Sequence, residues 1–371
     1  MAEATEVRDE PRMAWSVRIA RVAGIPVQVH ATFLLLLGWI AWIHWREGGT
    51  VAAVVDGVLF ILAVFLCVVL HELGHALAAR RFGIVTRDIT LLPIGGVARL
   101  EKMPDKPAQE LWVAVAGPLV NVAIAILLWV GLSWSGTLRP LETVGVAEGG
   151  LPERLLIVNV MLVMFNLIPA FPMDGGRVLR ALLAMRMGLL RATRVAAALG
   201  QGLALVFGIV GLMYNPFLAF IALFVWIGAA QEANVVQVRS LLSGVSVREG
   251  MITDFEVLDG RDPLSHAVER VLAGTQEEFP VIEDGSISGI LTRAHLLKAL
   301  SQSGPGIPVS AAMSREPRWI SPDESMERAL ELLRAADGSV LLIGDGGRLV
   351  GLLTETNASE LVQIRAALQH V

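Results

Sequence analysis

The sequence predicts a polytopic α-helical membrane protein, six transmembrane helices with a short membrane-associated β-hairpin or sheet, followed by a C-terminal α/β module built as a tandem repeat. Three observations carry this prediction. Hydrophobic residues make up 54% of the 371 and charged residues 18%, with a mean hydropathy of +0.62, too apolar for an ordinary soluble chain. Charge is sparse between residues 32 and 233 and ordinary afterwards. From Val247 onward a pattern recurs with a period of about sixty residues. A net charge of −5 and a pI near 5.9 show no basic excess, which argues against a nucleic-acid partner. The single cysteine, Cys67, lies in an apolar segment and excludes an intrachain disulfide.

The first dozen residues, MAEATEVRDEPR, are polar and acidic and do not read as a signal peptide, so insertion is expected to use the spans themselves. Trp15 to Gln28 reads as interfacial, with Arg18 and Arg21 beside aliphatic residues, and leads into a first span at 29–43 that ends near Trp39 and Trp42. The second span, Val58 to Arg80, is almost unbroken hydrocarbon of the length a bilayer requires. Phe82 to Glu101 is β-branched and apolar around Pro93 and Gly95-Gly96, which predicts a hairpin-like pair of short strands. Further spans follow at 111–134, 151–168, 195–213 and 216–233, with a glycine-containing polar turn, PAFPMDGGR, after the fourth. Six spans leave both termini on one side. Arginine and lysine crowd that side, while the other holds only Arg46, Arg139 and Arg154, so the basic side and both termini are expected to be cytoplasmic.

The second span carries His71, Glu72 and His75. On a helix the two histidines stand at i and i+4 on one face, the H-E-x-x-H arrangement that suits zinc. One ionisable group at mid-bilayer costs about 3 kcal/mol, so three together require a compensating partner. Zinc supplies it, because imidazoles bind as neutral ligands and the cation pairs with carboxylates. Catalytic zinc takes three protein ligands and keeps a position open. The best third ligand is Asp174, in the Asn166 to Gly176 run NLIPAFPMDGG, where proline and glycine break the helix and turn the carboxylate towards the depth of His71. Zn²⁺ with Asp174 and Glu72 both ionised sums to zero, which suits an apolar medium. Two plainer readings stand beside this one. The polar residues could line an interhelix contact, and Asp174 could simply cap the next helix before Arg177.

With these two motifs the chain resembles the site-2 proteases, the family of intramembrane zinc metalloproteases. His71-Glu72-Leu73-Gly74-His75 matches that family's H-E-x-x-H, and Asn166 to Gly175 its N-x-x-P-x-x-x-x-D-G signature. The resemblance implies one zinc ion per chain held by His71, His75 and Asp174, Glu72 as general acid/base, and Asn166 as a donor near the scissile carbonyl. Asn166 could instead join helices through its amide. The implied substrate is the transmembrane segment of another membrane protein. Thr90 to Leu100 could offer it a strand edge, or could be a connecting turn. Gly117, Pro118 and Asn121 match a family G-P-x-x-N-like segment and are expected to pack; His30 is expected to be structural.

In the C-terminal part, Val247 to Met251 answers to Val309 to Met313 and Gly289-Ile290-Leu291-Thr292 to Gly351-Leu352-Leu353-Thr354. This resembles a tandem pair of CBS domains, which marks a subgroup of the same protease family. The resemblance implies adenine-nucleotide binding between the repeats and pairing of modules into a homodimer. The aspartate expected three residues after each Thr is His295 in one copy and Asn357 in the other, so a ribose-binding carboxylate is missing from both. The expected organisation is an N-terminal cytoplasmic or interfacial segment (1–28), a six-span protease domain (29–235), a linker (236–246) and CBS domains at 247–303 and 304–371. The function expected is hydrolysis of peptide bonds within or beside a transmembrane segment, regulated by the CBS pair, in a multi-pass protein of the cell membrane. The alternative is a CBS-gated channel or transporter without protease activity.

Overall fold

The computed structural model describes residues 15–102, 104, 106–136, 149–334 and 340–368. It divides into two compact units, Met1–Val236 and Gln237–Val371. Arg8, Arg12 and Arg139, which entered the charge count, lie outside the described residues.

The first unit begins with two strands, β1 (Ser16–Val22) and β2 (Ile25–His30), then α1 (Ala31–Gly48) and α2 (Val51–Arg80). Strands β3 (Thr86–Leu92) and β4 (Gly95–Leu100) follow, then α3 (Pro107–Trp134), α4 (Leu151–Asn166), α5 (Asp174–Met187), α6 (Leu189–Tyr214) and α7 (Pro216–Leu242). The four strands form one sheet in the order β1-β2-β3-β4, antiparallel within each hairpin and parallel between β2 and β3. The segment expected to be interfacial, 15–28, is therefore half of this sheet. Ala23 and Gly24, both at positive φ, make the tight turn that a right-twisted hairpin prefers.

One face of the sheet is apolar and packs on α2. Ile25, Val27, Ile89 and Leu91 meet Phe65, Val69, Leu73 and Ala76, with Phe33 of α1 stacked edge-on against Phe65. His30 caps α1 by accepting from the Thr32 amide, the structural task expected of it. In the sheet Asp88 pairs with Arg99 and accepts from Thr90 Oγ1, so its buried carboxylate is satisfied.

Among the described residues four helices are long and apolar enough to cross a membrane: α2, α3, α6 and α7. The first of the six expected spans falls across the end of β2 and on α1, whose last turn carries Arg46 and Glu47. The fourth falls on α4, whose 16 residues rise about 24 Å, short of a hydrocarbon core about 30 Å thick. Two of the arginines that entered the charge count, Arg154 and Arg180, are buried. Arg154 is buried at the start of α4, bonded to Asp56 of α2 at 2.8 and 3.0 Å and lying over the Phe60 ring. Arg180, in α5, is 2% exposed and is held by Glu110 of α3 and Glu232 of α7.

The second unit repeats one order of elements. The first copy has β5 (Leu258–Asp259), α8 (Leu264–Ala273), β6 (Glu278–Glu283), β7 (Ser286–Thr292) and α9 (Arg293–Ser303). The second has β8 (Trp319–Ile320), α10 (Met326–Arg334), β9 (Val340–Asp345), β10 (Arg348–Thr354) and α11 (Glu355–Leu368). In each, a short strand runs parallel to the next, which turns back antiparallel.

The cores do not follow the repeat boundary. Leu242, Val245 and Val247, which precede the first copy, are buried with Ile320, Met326, Leu341 and Leu353 of the second. Val309, which precedes the second copy, is buried with Leu258, Leu264 and Phe279 of the first. The stretch 236–246 thus differs from the expected linker: it is helical to Leu242, and its apolar residues fill a core rather than meet water.

Candidate metal centre

His71 and His75 lie one turn apart on α2 and are both buried. Asp174 opens α5, where its anionic side chain is favoured by the helix N-terminus, and its Oδ2 lies 3.1 Å from Nε2 of each histidine. The two Nε2 atoms are themselves 3.1 Å apart. The helix-cap position belongs to Met173 and uses no side chain, so the capping reading of Asp174 gives way to the histidine contacts.

The turn that delivers Asp174 depends on two glycines. A Cβ on Gly175 would stand 2.5 Å from the Leu167 carbonyl carbon, and one on Gly176 would stand 2.6 Å from that of Ala170. Only glycine lets the first turn of α5 lie directly on the 167–171 backbone. On the other side of the cluster, α3 presents Gly117, whose Cβ would fall 2.7 Å from His71 Nε2 and closer still to His75 Nε2. A Cβ on Gly74 would likewise meet the Ala116 carbonyl oxygen at 2.7 Å, so α2 and α3 approach backbone to backbone at this point.

The nitrogens on the far side of each imidazole are engaged. His75 Nδ1 is 2.7 Å from the Val113 carbonyl and His71 Nδ1 is 2.6 Å from Asn121 Oδ1. Oxygens of this kind accept, so both Nδ1 atoms carry the proton and both Nε2 atoms present lone pairs. Two imidazole nitrogens and a carboxylate oxygen then converge in a buried space, a set of lone-pair donors that a bound cation satisfies. The 3.1 Å separations are near the edge, about 3.3 Å, of a tetrahedron built on zinc–nitrogen bonds of 2.0–2.1 Å. The donor set fits zinc.

Glu72 is half-buried and within electrostatic reach of His75, His71 and Asp174. It lies beneath β4: a Cβ on Gly96 would come within 2.9 Å of Glu72 Cγ. The carboxylate therefore stands between the cluster and an edge strand. Asn166 closes α4 eight residues before Asp174, half-buried at the start of the turn. Asn121 and Asn159 are both fully buried; Asn121 was legible as part of the G-P-x-x-N-like segment expected to pack, Arg180 as one cation among several, and Asn159 carried no signal.

A buried His-His-Asp cluster with a flanking carboxylate, set among apolar helices, has the donor set of a membrane zinc metallopeptidase. Comparison with known proteins agrees. The family model of Peptidase family M50 matches residues 59–148 and 151–210, and that of the CBS domain matches 244–302 and 309–363. A zinc metalloprotease of Methanocaldococcus jannaschii is 33% identical over 95% of this chain and 97% of its own. A Synechocystis relative that also bears a zinc metalloprotease name is 30% identical over 95% of this chain and 97% of its own. The solved site-2 protease of Methanocaldococcus jannaschii is 40% identical, covering 59% of this chain and 95% of that one with a TM-score of 0.44. The chain belongs to Peptidase family M50, the site-2 protease family, and is a zinc metalloendopeptidase with a C-terminal CBS pair.

Proposed function

We propose that His71, His75 and Asp174 hold one zinc ion, and that the chain uses it to hydrolyse peptide bonds within or beside the transmembrane segment of membrane-protein substrates. The observation that carries this reading is the convergence of three buried lone-pair donors beside the Glu72 carboxylate. Zinc, when bound, supplies a Lewis acid for the scissile carbonyl and makes a nucleophilic water available near neutral pH. Glu72 takes the proton of the attacking water and returns it to the leaving amine. Asn166 donates its amide hydrogen to the oxygen on which charge develops. The β4 edge receives the substrate as an added strand, which gives hydrogen-bond partners to a backbone that has left its helix. A sheet edge beside the general base supports this use of the Thr90 to Leu100 hairpin as a membrane-associated element.

In this reading α1 and α4 cross the bilayer together with the four longer helices, and the basic loops keep both termini in the cytoplasm. The CBS pair acts as a regulatory module and joins two copies of the chain. Adenine-nucleotide binding there has less support. His295 Nδ1 and Asn357 Oδ1 stand at the ribose-binding positions and are turned back 3.1 and 2.7 Å onto the threonines that cap their own helices. The channel or transporter alternative has no support from the family match.

The test is metal analysis of purified protein together with co-expression of candidate single-span substrates. Asp174→Ala is expected to lose both the zinc and the cleavage, and retention of both would sink the proposal. Gly117→Ala is a sharper probe of the same space, since its added methyl meets the two Nε2 atoms. Overpacking of this kind costs about 1–3 kcal/mol, so zinc binding is expected to weaken by about ten- to a hundredfold in chelator competition.

A further inference from the structure

His71 and His75 must present the same nitrogen to the metal, yet their tautomers are set by different means. For His75 the partner of Nδ1 is the Val113 carbonyl, which can only accept. For His71 the partner is the side chain of Asn121, an amide that would impose the opposite tautomer if it were turned over. Something has to hold Asn121 the right way round.

We infer that Asn159 of α4 does this, as a positioning residue that selects the metal-binding tautomer of His71 through Asn121. The order of donors runs backward from a group with no choice. Asn159 Nδ2 lies 2.8 Å from the Leu155 carbonyl, and its second hydrogen is directed to Cys67 Sγ at 3.4 Å. Oδ1 of Asn159 therefore faces Asn121, whose Nδ2 donates to it at 2.9 Å. Oδ1 of Asn121 is left to accept from His71 Nδ1 at 2.6 Å, and Nε2 remains bare. Both asparagines are 0% exposed, so water does not replace a lost partner. A turned Asn121 would set its oxygen against the Asn159 oxygen in a dry site.

The inference rests on the reading of His71 as a zinc ligand, and its test separates the two. Zinc affinity is measured by chelator competition on the full chain in detergent, with the melting temperature of the metal-free protein as the control for folding. Asn159→Leu is expected to weaken zinc about 10–100-fold, the usual effect of removing an outer partner of a ligating histidine. Adding Asn121→Asp is expected to restore affinity, because a carboxylate offers only acceptors to His71 Nδ1. Leu156→Ala, which loosens the α3–α4 core without touching the amides, is expected to leave affinity unchanged. Asn159→Ala removes the same amide without added bulk and serves if the leucine variant does not fold. Wild-type affinity in the Asn159 variants, no rescue by Asn121→Asp, or an equal loss in Leu156→Ala would overturn the inference. Wild-type affinity in His71→Ala would overturn the metal-site reading beneath it.

Discussion

Glu72→Gln is expected to lower the rate of cleavage by about 10²–10⁴-fold, the usual contribution of a general acid/base, while zinc content stays at the wild-type level. The two halves of this result come from the two faces of α2. His71 and His75 point into the cluster with Asp174, whereas Glu72 is one residue round and lies beneath Gly96 of β4. Glutamine keeps the shape of the side chain while removing its negative charge and its basicity, exchanging one acceptor oxygen for a donor. Turnover of a single-span substrate in detergent, measured beside metal content, reads both effects. Wild-type turnover would remove Glu72 from the chemistry, and loss of zinc would place it among the ligands.

Arg180→Met is expected to destabilise the fold by about 3–5 kcal/mol, because it strands Glu110 and Glu232 without their shared cation. The guanidinium is 2% exposed, joins α3, α5 and α7, and lies 5.0 Å from the centre of the Phe171 ring in the turn that delivers Asp174. Its Nε donates to Glu110 Oε1 at 2.7 Å. Replacing all three charges, as Glu110→Gln, Arg180→Met and Glu232→Gln together, is expected to restore most of the loss, since a buried ionic cluster often contributes little beyond its isosteres. Thermal unfolding in detergent compares the single and triple variants. Equal melting temperatures for Arg180→Met and the wild type would show that the cluster does not hold α5 in place.

The His-His-Asp cluster was legible in the sequence because hydrocarbon makes polar residues conspicuous. His71, Glu72 and His75 stand in an apolar run, and Asp174 in a turn rich in proline and glycine. Arg180 was hidden for the opposite reason. It follows Arg177 and precedes Arg186 in a basic stretch, so it counted as one more cytoplasmic cation, and its partners lie 70 and 52 residues away. The sheet was half legible. The β3–β4 hairpin is local and marked by Gly95-Gly96, but the parallel pairing of β2 with β3 joins residues about sixty apart and leaves no periodic trace. Helix α5 was obscured by Gly175 and Gly176, which read as breakers and instead permit its first turn to lie on the 167–171 backbone. Asn121 stood out in sequence only as part of a segment expected to pack and Asn159 not at all, and their mutual contact and that with His71 separate an oriented pair from general packing.

The exchanged cores of the C-terminal unit bear on how the duplication could have arisen. Each copy's core is completed by the leading segment of the other copy, with Val247 buried against the second and Val309 against the first. A chain carrying a single repeat would hold one such segment and one such core, and could reproduce this exchange only with a neighbouring molecule. The tandem pair is in this sense an internal dimer, its two halves made inseparable by one continuous backbone.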